Sequence, residues 1–318
     1  MKILANDGIA NNAIEMLKEK GIEVVTDKVA QEELVNAINE QGFAGLLVRS
    51  ATKVRKDLID QCPGLKFIGR GGVGMDNIDV EYARSKGLAV ENTPAASSQS
   101  VAELVMGHMF SLARGTYDSN RAMPGSGGAE FKSLKKKYAK GMELRGKTLG
   151  IIGFGRIGRS TATYAIGCGM NVIFSDLYVD DGSLEIELGN GSKADVNVKK
   201  VSLDELLRSS DLISIHIPSQ DGEAVIGSNE FAKMKKGVRI VNAARGGVID
   251  EDALLEALKN ETVAAIALDV FENEPKPRKD ILNHPKIALS PHIGAATLEA
   301  QDRIGIELAE KIIAYFGK

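Results

Sequence analysis

The sequence predicts an α/β protein of two doubly wound parallel-sheet domains, Rossmann-like or flavodoxin-like in type. Short apolar segments alternate with helical segments along the chain, a pattern typical of parallel sheets with helices on both faces. Glycine makes up 34 of the 318 residues, above the usual ~7%, and these glycines separate the segments. A chain of this length also suits two domains.

The N-terminal part of the chain predicts a small α/β unit that ends near residue 95. Its strands are expected at residues 2–5, 24–25, 45–48 and 67–69. Residues 93–98 are small and polar and predict a hinge or crossover. A long amphipathic helix at 100–114 and a Gly- and Lys-rich loop at 124–140 come next, and the second unit begins with a strand at 148–152.

The composition argues against several classes of protein. The 40 basic and 43 acidic residues give a net charge of −3, whereas nucleic-acid binders usually carry a basic domain. The longest apolar segment, residues 263–268, is far shorter than the ~20 residues that span a bilayer, and the N-terminus turns polar too early for a signal peptide. The two cysteines form no metal-binding pattern. We therefore expect a cytoplasmic protein with no metal, no nucleic-acid partner and no membrane partner.

A glycine-rich loop after the strand at 148–152 predicts a dinucleotide site. It has the pattern G-x-G-x-x-G, in the order Gly153-Phe154-Gly155-Arg156-Ile157-Gly158. Gly153 permits a tight turn, Gly155 lets the backbone approach a diphosphate, and Gly158 lets the next helix pack closely on the strand. The N-terminus of that helix offers unpaired N–H groups to the diphosphate, so Arg156 and Ile157 are expected at the cofactor as well.

The acidic residue that completes this motif is predicted to be Asp176. It comes directly after the next strand and would accept hydrogen bonds from the adenosine ribose hydroxyls. Because its charge would repel a 2′-phosphate, and because Leu177 rather than an arginine comes next, we expect NAD rather than NADP. His216 and Pro218 come after a further strand and are expected at the same cleft, although the sequence leaves the place of His216 there open.

Three later strands lead into reactive side chains. The strands are predicted at 238–244, 264–268 and 287–291, and Arg245, Glu274 and His292 come after them. Such arginine and glutamate residues are, singly, more often surface ion pairs. However, the carboxyl ends of parallel strands line the ligand crevice of a doubly wound sheet, so we expect the three to meet beside a nicotinamide ring.

This trio fits the reversible oxidation of a 2-hydroxy acid. His292 would remove the hydroxyl proton while a hydride leaves C2, and Glu274 would fix the imidazole tautomer and stabilise the imidazolium. Arg245 would hold the substrate carboxylate and the C2 oxygen. We expect His108 to be a packed or surface residue and His284 to be a turn residue.

Four segments resemble the D-isomer-specific 2-hydroxyacid dehydrogenases. They are the loop at 153–158 and the sequences Asn242-Ala243-Ala244-Arg245-Gly246, Asp269-Val270-Phe271-Glu272-Asn273-Glu274-Pro275 and Pro291-His292-Ile293-Gly294. The resemblance implies the same catalytic trio, cofactor contacts at Ala243 and Asp269, and a position for Asp269 near the nicotinamide carboxamide. It also implies that a nucleotide domain, 97–293, is inserted into a substrate domain formed by 1–96 and 294–318, that a helix at 299–316 returns to the substrate domain, and that a homodimer forms through the helix at 100–114.

Further residues resemble a narrower group of this family, whose members oxidise 3-phosphoglycerate for serine synthesis. The segments are 48–54, 69–77 and 294–301. The resemblance implies that Arg49 and Arg70 contact the substrate phosphate and that backbone N–H groups of Gly72, Val73 and Gly74 bind its carboxylate. Planar, permanently charged donors suit a phosphate, so we expect a small phosphorylated 2-hydroxy acid as substrate. Since the chain ends at Lys318, we expect it to lack the serine-sensing C-terminal domains of longer members.

Two alternatives stay open from the sequence. The same chemistry could act on an acid without phosphate, as in a glycerate/hydroxypyruvate reductase or a D-lactate dehydrogenase. A non-catalytic, NAD-sensing protein similar to the corepressors built on this scaffold is a less favoured possibility. The lysines of the predicted loop are either a solvated surface or a means of attracting an anionic substrate; they are Lys132, Lys135, Lys136, Lys137 and Lys140.

Overall fold

The computed structural model describes residues 1–219 and 223–317 and divides the chain into two compact units. The first unit comprises Met1–Ser100 and Ala295–Lys318, and the second comprises Val101–Gly294. The divisions expected from the sequence are at 96/97 and 293/294. Among the helices of the described residues, none is long and apolar enough to cross a membrane.

The first unit is a five-stranded parallel sheet with helices on both faces. Its elements are β1 (Lys2–Ala5), α1 (Asn11–Glu19), β2 (Glu23–Val25), α2 (Leu34–Gln41), β3 (Phe43–Val48), α3 (Lys56–Gln61), β4 (Phe67–Arg70), α4 (Val80–Ser85), β5 (Ala89–Asn92) and α13 (Leu298–Phe316). The strand order is β2-β1-β3-β4-β5, which is the flavodoxin-like order. The predicted α/β class is confirmed for this unit.

Alternating residues of its strands bury opposite faces of the sheet. Leu4 of β1 packs in a cluster with the side chains of α2 and α3, whereas its neighbour Ile3 packs with Leu17 of α1 and Ile312 of α13. A strand that is buried on both faces requires an unbroken apolar sequence, which explains the Ile3-Leu4-Ala5 segment. Full burial of one such side chain contributes about 1.5–3 kcal/mol.

The second unit contains a seven-stranded parallel sheet. Its elements are α5 (Ser98–Arg114, which begins in the first unit), α6 (Thr116–Ser126), α7 (Phe131–Lys137), β6 (Thr148–Ile152), α8 (Arg156–Gly167), β7 (Asn171–Ser175), β8 (Ser183–Glu187), β9 (Lys193–Asn197), β10 (Lys199–Lys200), α9 (Leu203–Ser209), β11 (Leu212–Ile215), α10 (Ser228–Lys233), β12 (Val238–Asn242), α11 (Glu251–Lys259), β13 (Val263–Leu268), α12 (Lys279–Leu282) and β14 (Ile287–Leu289). The order β10-β7-β6-β11-β12-β13-β14 is the Rossmann order with one further strand, and the predicted fold class is confirmed here too.

The segment at 124–140, expected to be a loop, is largely helical. It contains the end of α6 and all of α7, and Leu134 is the buried residue of α7. One buried position among consecutive lysines gives almost no apolar periodicity, so the helix escapes detection from sequence. All the lysines of the segment are exposed, and Lys137 donates a hydrogen bond to Asp118 Oδ2 at 2.8 Å.

The long segment after Asp176 folds as an antiparallel hairpin of β8 and β9, with Ser183 opposite Asn197. Arg159 of α8 fixes its base, since the guanidinium donates to the backbone oxygens of Ser183 at 2.7 Å and Asp181 at 2.6 Å. The hairpin is therefore anchored to the helix that comes after the glycine-rich loop.

Candidate active site

The glycine-rich loop joins β6 directly to the N-terminus of α8. A Cβ on Gly158 would collide with the carbonyl oxygen of Gly153, so the helix and the loop approach as closely as glycine permits. Gly155 is exposed, and a Cβ added to it would have no heavy atom within 4 Å. The open backbone at Gly155 and the N–H groups of Arg156 and Ile157 at the start of α8 fit the diphosphate of a dinucleotide.

Asp176 connects the end of β7 to this loop. Its Oδ2 accepts from the backbone N–H of Phe154 at 2.7 Å, and its Oδ1 accepts from those of Tyr178 and Val179 at 2.7 and 2.9 Å. Burial acts to raise the pKa of Asp176, but these three N–H donors outweigh it and hold the pKa below the usual value. A carboxylate has about four acceptor positions, so one remains for a ribose hydroxyl.

The imidazole of His216 is hydrogen-bonded within the protein, and its contact with a cofactor stays a prediction. Its Nε2 lies 2.8 Å from Ser214 Oγ, and its buried Nδ1 has no partner among residues 1–219 and 223–317. Burial lowers the pKa of His216 to about 3, so the ring is neutral. The backbone carbonyl of His216 packs against Gly153 of the glycine-rich loop. Pro218, also predicted at the cofactor cleft, is exposed.

Glu274 and His292 form a hydrogen-bonded pair after β13 and β14. His292 Nδ1 lies 2.8 Å from Glu274 Oε2, and Glu274 Oε1 accepts from the backbone N–H of Phe271 at 2.9 Å. Because a carboxylate only accepts, the Nδ1 atom carries the proton of the pair and Nε2 remains for a substrate. The His292 side chain is 45% exposed and that of Glu274 is 33% exposed, so the pair lies at the surface of the second unit.

Asp269 holds the turn that carries His292. It is 1% exposed, its Oδ1 accepts from the backbone N–H of Ile293 at 2.9 Å, and its Oδ2 accepts from that of Gly294 at 2.8 Å. These bonds fix the two residues after His292, whose own backbone φ of 53° lies in the left-handed region. Asp269 is expected from the sequence near the nicotinamide carboxamide, and its role in holding the His292 turn is visible only in the structure.

Arg245 lies after β12 in a turn that Asn242 braces. The buried Asn242 accepts from the backbone N–H of Ala244 and donates to the backbone oxygen of Arg245, both at 3.0 Å. The next residue, Gly246, packs so closely on the carbonyl group of Phe271 that a Cβ would overlap it. The turns that carry Arg245 and Glu274 are therefore in direct backbone contact. Ala243, predicted to contact the cofactor, is half-buried at the start of this turn.

In the first unit, the two candidate phosphate ligands lie at neighbouring strand ends. Arg49 comes directly after Val48, and Val48 is paired with Arg70 in the register of β3 and β4. A Cβ on Gly71 would lie 3.6 Å from Arg49 Cγ, and Arg70 Nη1 donates to the backbone oxygen of Gly71 at 3.1 Å. The structure therefore brings both arginines to the carboxyl edge of this sheet.

Of the three residues predicted to offer N–H groups to a carboxylate, Gly72 differs from the expectation. Its N–H already donates to Thr93 Oγ1 at 2.7 Å, so it is engaged within the protein. Val73 is 38% exposed, and Gly74 is half-buried beside it.

The residue that orders the Arg49 turn is not among those expected from the sequence. Asp7, at the end of β1, accepts from the backbone N–H groups of Arg49 at 2.7 Å and Thr52 at 3.0 Å. It also pairs with Lys28 at 2.8 Å. Burial acts to raise the pKa of Asp7, and these donors overcome it and lower the pKa. The sheet order places Asp7 at the switch between β1 and β3, where ligands bind in such folds, so its position just after the first strand is a signal that the sequence does contain.

The fold and these sites define a nucleotide-dependent oxidoreductase. Residues 106–294 match the family described as "D-isomer specific 2-hydroxyacid dehydrogenase, NAD binding domain". The chain belongs to the D-isomer specific 2-hydroxyacid dehydrogenase family, and it binds NAD.

Relatives carry different substrate names. The chain is 42% identical to a hydroxypyruvate reductase of Thermotoga maritima, over 99% of this chain and 98% of that protein. It is also 42% identical to a D-3-phosphoglycerate dehydrogenase of Methanocaldococcus jannaschii over 98% of this chain, but it spans only 57% of the length of that relative. A glyoxylate reductase from Paecilomyes thermophila superposes with a TM-score of 0.82 at 32% identity, covering 100% of this chain and 96% of that one.

Proposed function

We propose that this protein oxidises D-3-phosphoglycerate to 3-phosphohydroxypyruvate, a reaction that serves serine synthesis. The observation that carries the proposal is the pair of arginines, Arg49 and Arg70, at neighbouring strand ends of the first unit. A phosphate monoester carries about two negative charges and is best held by planar guanidinium donors. Unphosphorylated acids have no group that needs both arginines.

The acid–base pair supplies the proton chemistry. NAD, held by the glycine-rich loop at 153–158 and by Asp176, would supply the hydride acceptor for the C–H bond at C2 of the substrate. As that C–H bond breaks, His292 takes the hydroxyl proton at Nε2 and the C2 oxygen becomes a carbonyl. Glu274, 2.8 Å from Nδ1, stabilises the resulting imidazolium, and the pair returns the proton in the reverse direction. Catalysis of this type contributes roughly 10²–10⁴-fold to the rate.

Arg245 holds the reacting end of the substrate. Its guanidinium would bind the substrate carboxylate in a bidentate manner and direct the C2 oxygen towards His292. Asn242 and the contact between Gly246 and Phe271 keep the Arg245 turn beside the Glu274 turn. We assign Arg245, Glu274 and His292 as the catalytic residues on this basis.

A hydroxypyruvate reductase is the second candidate function. The Thermotoga maritima relative with this name matches the chain along almost its whole length. The structural neighbour named as a glyoxylate reductase also favours the reduction of an acid without phosphate. For these substrates Arg245, Glu274 and His292 would keep their roles, and Arg49 and Arg70 would have no phosphate to bind.

Matched substrate pairs test the proposal. Purified protein is assayed with NAD and either D-3-phosphoglycerate or D-glycerate, and with NADH and either 3-phosphohydroxypyruvate or hydroxypyruvate. We expect kcat/KM to favour the phosphorylated member of each pair. Equal or better turnover of the unphosphorylated acids would establish the reductase. Binding of NAD without turnover of any of the four compounds would instead indicate a non-catalytic NAD-sensing protein.

A further inference from the structure

His108, expected to be a packed or surface residue, takes part in a hydrogen-bonded chain behind the His292 turn. It lies in α5, and its Nε2 is 2.9 Å from Ser290 Oγ. Ser290 Oγ in turn donates to Asp269 Oδ1 at 2.6 Å. All three residues belong to the second unit.

The direction of each hydrogen bond in this chain is set by its last member. Asp269 accepts from the Ser290 hydroxyl, which has a single proton, so the Ser290 oxygen can only accept from His108. The imidazole of His108 is thus the Nε2–H tautomer. Burial lowers the pKa of His108 against the opposing charge of Asp269, which keeps this donor neutral at neutral pH.

Asp269 connects this series of hydrogen bonds to the His292 turn. Its carboxylate is 1% exposed, and a buried carboxylate needs every donor that it has. The same Oδ1 atom that accepts from Ser290 also accepts from the N–H of Ile293, the residue after His292. A shift of the Ser290 hydroxyl therefore moves the acceptor that fixes this turn.

We propose that His108 is a positioning residue for the acid–base pair of Glu274 and His292. Its N–H fixes the Ser290 hydroxyl, the hydroxyl orients Asp269, and Asp269 holds the backbone turn that aims the His292 imidazole. The catalytic consequence rests on the proposed function, whereas the effect on the orientation of His292 does not.

The kinetic test compares two substitutions of His108. His108→Met removes the donor at similar volume, and His108→Gln keeps an N–H donor in the same direction. In the full-length protein with saturating NAD, we expect His108→Met to lower kcat roughly three- to tenfold, the effect of one neutral hydrogen bond, with little change in KM. His108→Gln should recover most of kcat, and His284→Gln is the matched control, because His284 accepts a bond from Lys286 outside this chain of hydrogen bonds.

A spectroscopic test reads the position of His292 without turnover. The protein has four histidines, so ¹⁵N-labelled histidine gives a spectrum in which each ring is resolved. The proton that His292 Nδ1 shares with Glu274 should give a low-field signal in the wild type, His108→Gln and His284→Gln. We expect that signal to broaden or vanish in His108→Met.

The outcomes separate the two proposals. If both His108 variants lose the same free energy of unfolding while kcat and the His292 signal stay unchanged, His108 is only structural and the inference is overturned. Should His108→Met fail to fold, Ser290→Ala removes the next hydrogen bond of the series, between Ser290 and Asp269. That variant must then lose the low-field His292 signal in the same way. Absence of turnover in the wild type would defeat the proposed function and leave the spectroscopic result to decide the role of His108.

Discussion

His292 Nδ1 and Glu274 Oε2 lie 2.8 Å apart, although 17 residues separate the two in the sequence. The Glu274 carboxylate can only accept, so it keeps the proton on Nδ1 and leaves Nε2 free of hydrogen to act as a base. Without this carboxylate, the neutral ring can carry its proton on either nitrogen.

Glu274→Gln should lower kcat roughly 10²–10⁴-fold while NAD affinity stays unchanged. The amide retains an oxygen for the N–H of Phe271 and presents its NH₂ to His292, which favours the inactive tautomer. Steady-state kinetics and NAD titration measure the two effects, with the neighbouring Glu272→Gln as the control. His292→Ala should give a similar loss, and the double variant should be no worse than either single one. Near-normal kcat in Glu274→Gln would remove Glu274 from the proton step.

Much of this site could be predicted because strand ends are visible in sequence. Unbroken apolar segments such as 148–152 and 263–268 locate buried parallel strands, and the topology of a doubly wound sheet gathers the residues after each strand at one edge. That logic selects Arg245, Glu274 and His292, and the structure has them after β12, β13 and β14.

The residues that support the site could not be predicted in the same way. Asp7 and Asp269 do follow strands, but tertiary packing decides which backbone N–H groups their carboxylates bind. Asn242 in β12 and His108 in α5 are isolated polar residues in apolar segments and give no periodic signal. In particular, His108 Nε2 and Ser290 Oγ are 2.9 Å apart, although the two residues lie far from each other in the sequence.

Arg49→Met tests whether Arg49 contacts the phosphate of the substrate. Loss of one partner of a charge-assisted contact costs about 2–4 kcal/mol, so KM for D-3-phosphoglycerate should rise roughly 30- to 900-fold. KM for D-glycerate should not change. Arg55→Met is the control, since Arg55 lies in the same unit and pairs with Asp79. If KM for the phosphorylated acid stays constant in Arg49→Met, this arginine has no contact with a phosphate.

Gly246→Ala tests the backbone contact between the Arg245 and Glu274 turns. The new Cβ would overlap the carbonyl oxygen of Phe271, so the two turns must separate. We expect a loss of about 1–3 kcal/mol in the free energy of unfolding and a fall in kcat that exceeds any change in NAD affinity. Gly128→Ala is the control, because nothing lies within 4 Å of its added Cβ. Full activity in Gly246→Ala would mean that the trio tolerates separation of the turns.

His216 makes the folded state sensitive to mild acid. Burial lowers its pKa to about 3, whereas an unfolded histidine titrates near ~6.5. Between these values the unfolded chain binds one more proton than the folded chain, so the stability contribution is complete above pH ~6.5 and is lost as the pH falls towards 3. The largest possible loss is several kcal/mol, at ~1.4 kcal/mol for each pKa unit.

Urea unfolding at intervals between about pH 7.5 and pH 4.5 measures this loss. His108 and His284 also have lowered pKa values from burial, so the wild-type slope contains more than one histidine. His216→Gln removes one titrating ring, so its free energy of unfolding should fall less steeply with acid. The number of protons taken up on unfolding, which sets this slope, should be smaller by up to one. Asp7 and Asp176, whose pKa values are lowered, lose most of their contributions below the unfolded carboxylate pKa of ~3.9. Any part lost near pH 4.5 is common to both proteins and cancels in the comparison. Identical slopes in the two proteins would show that the His216 ring is solvated in the folded state.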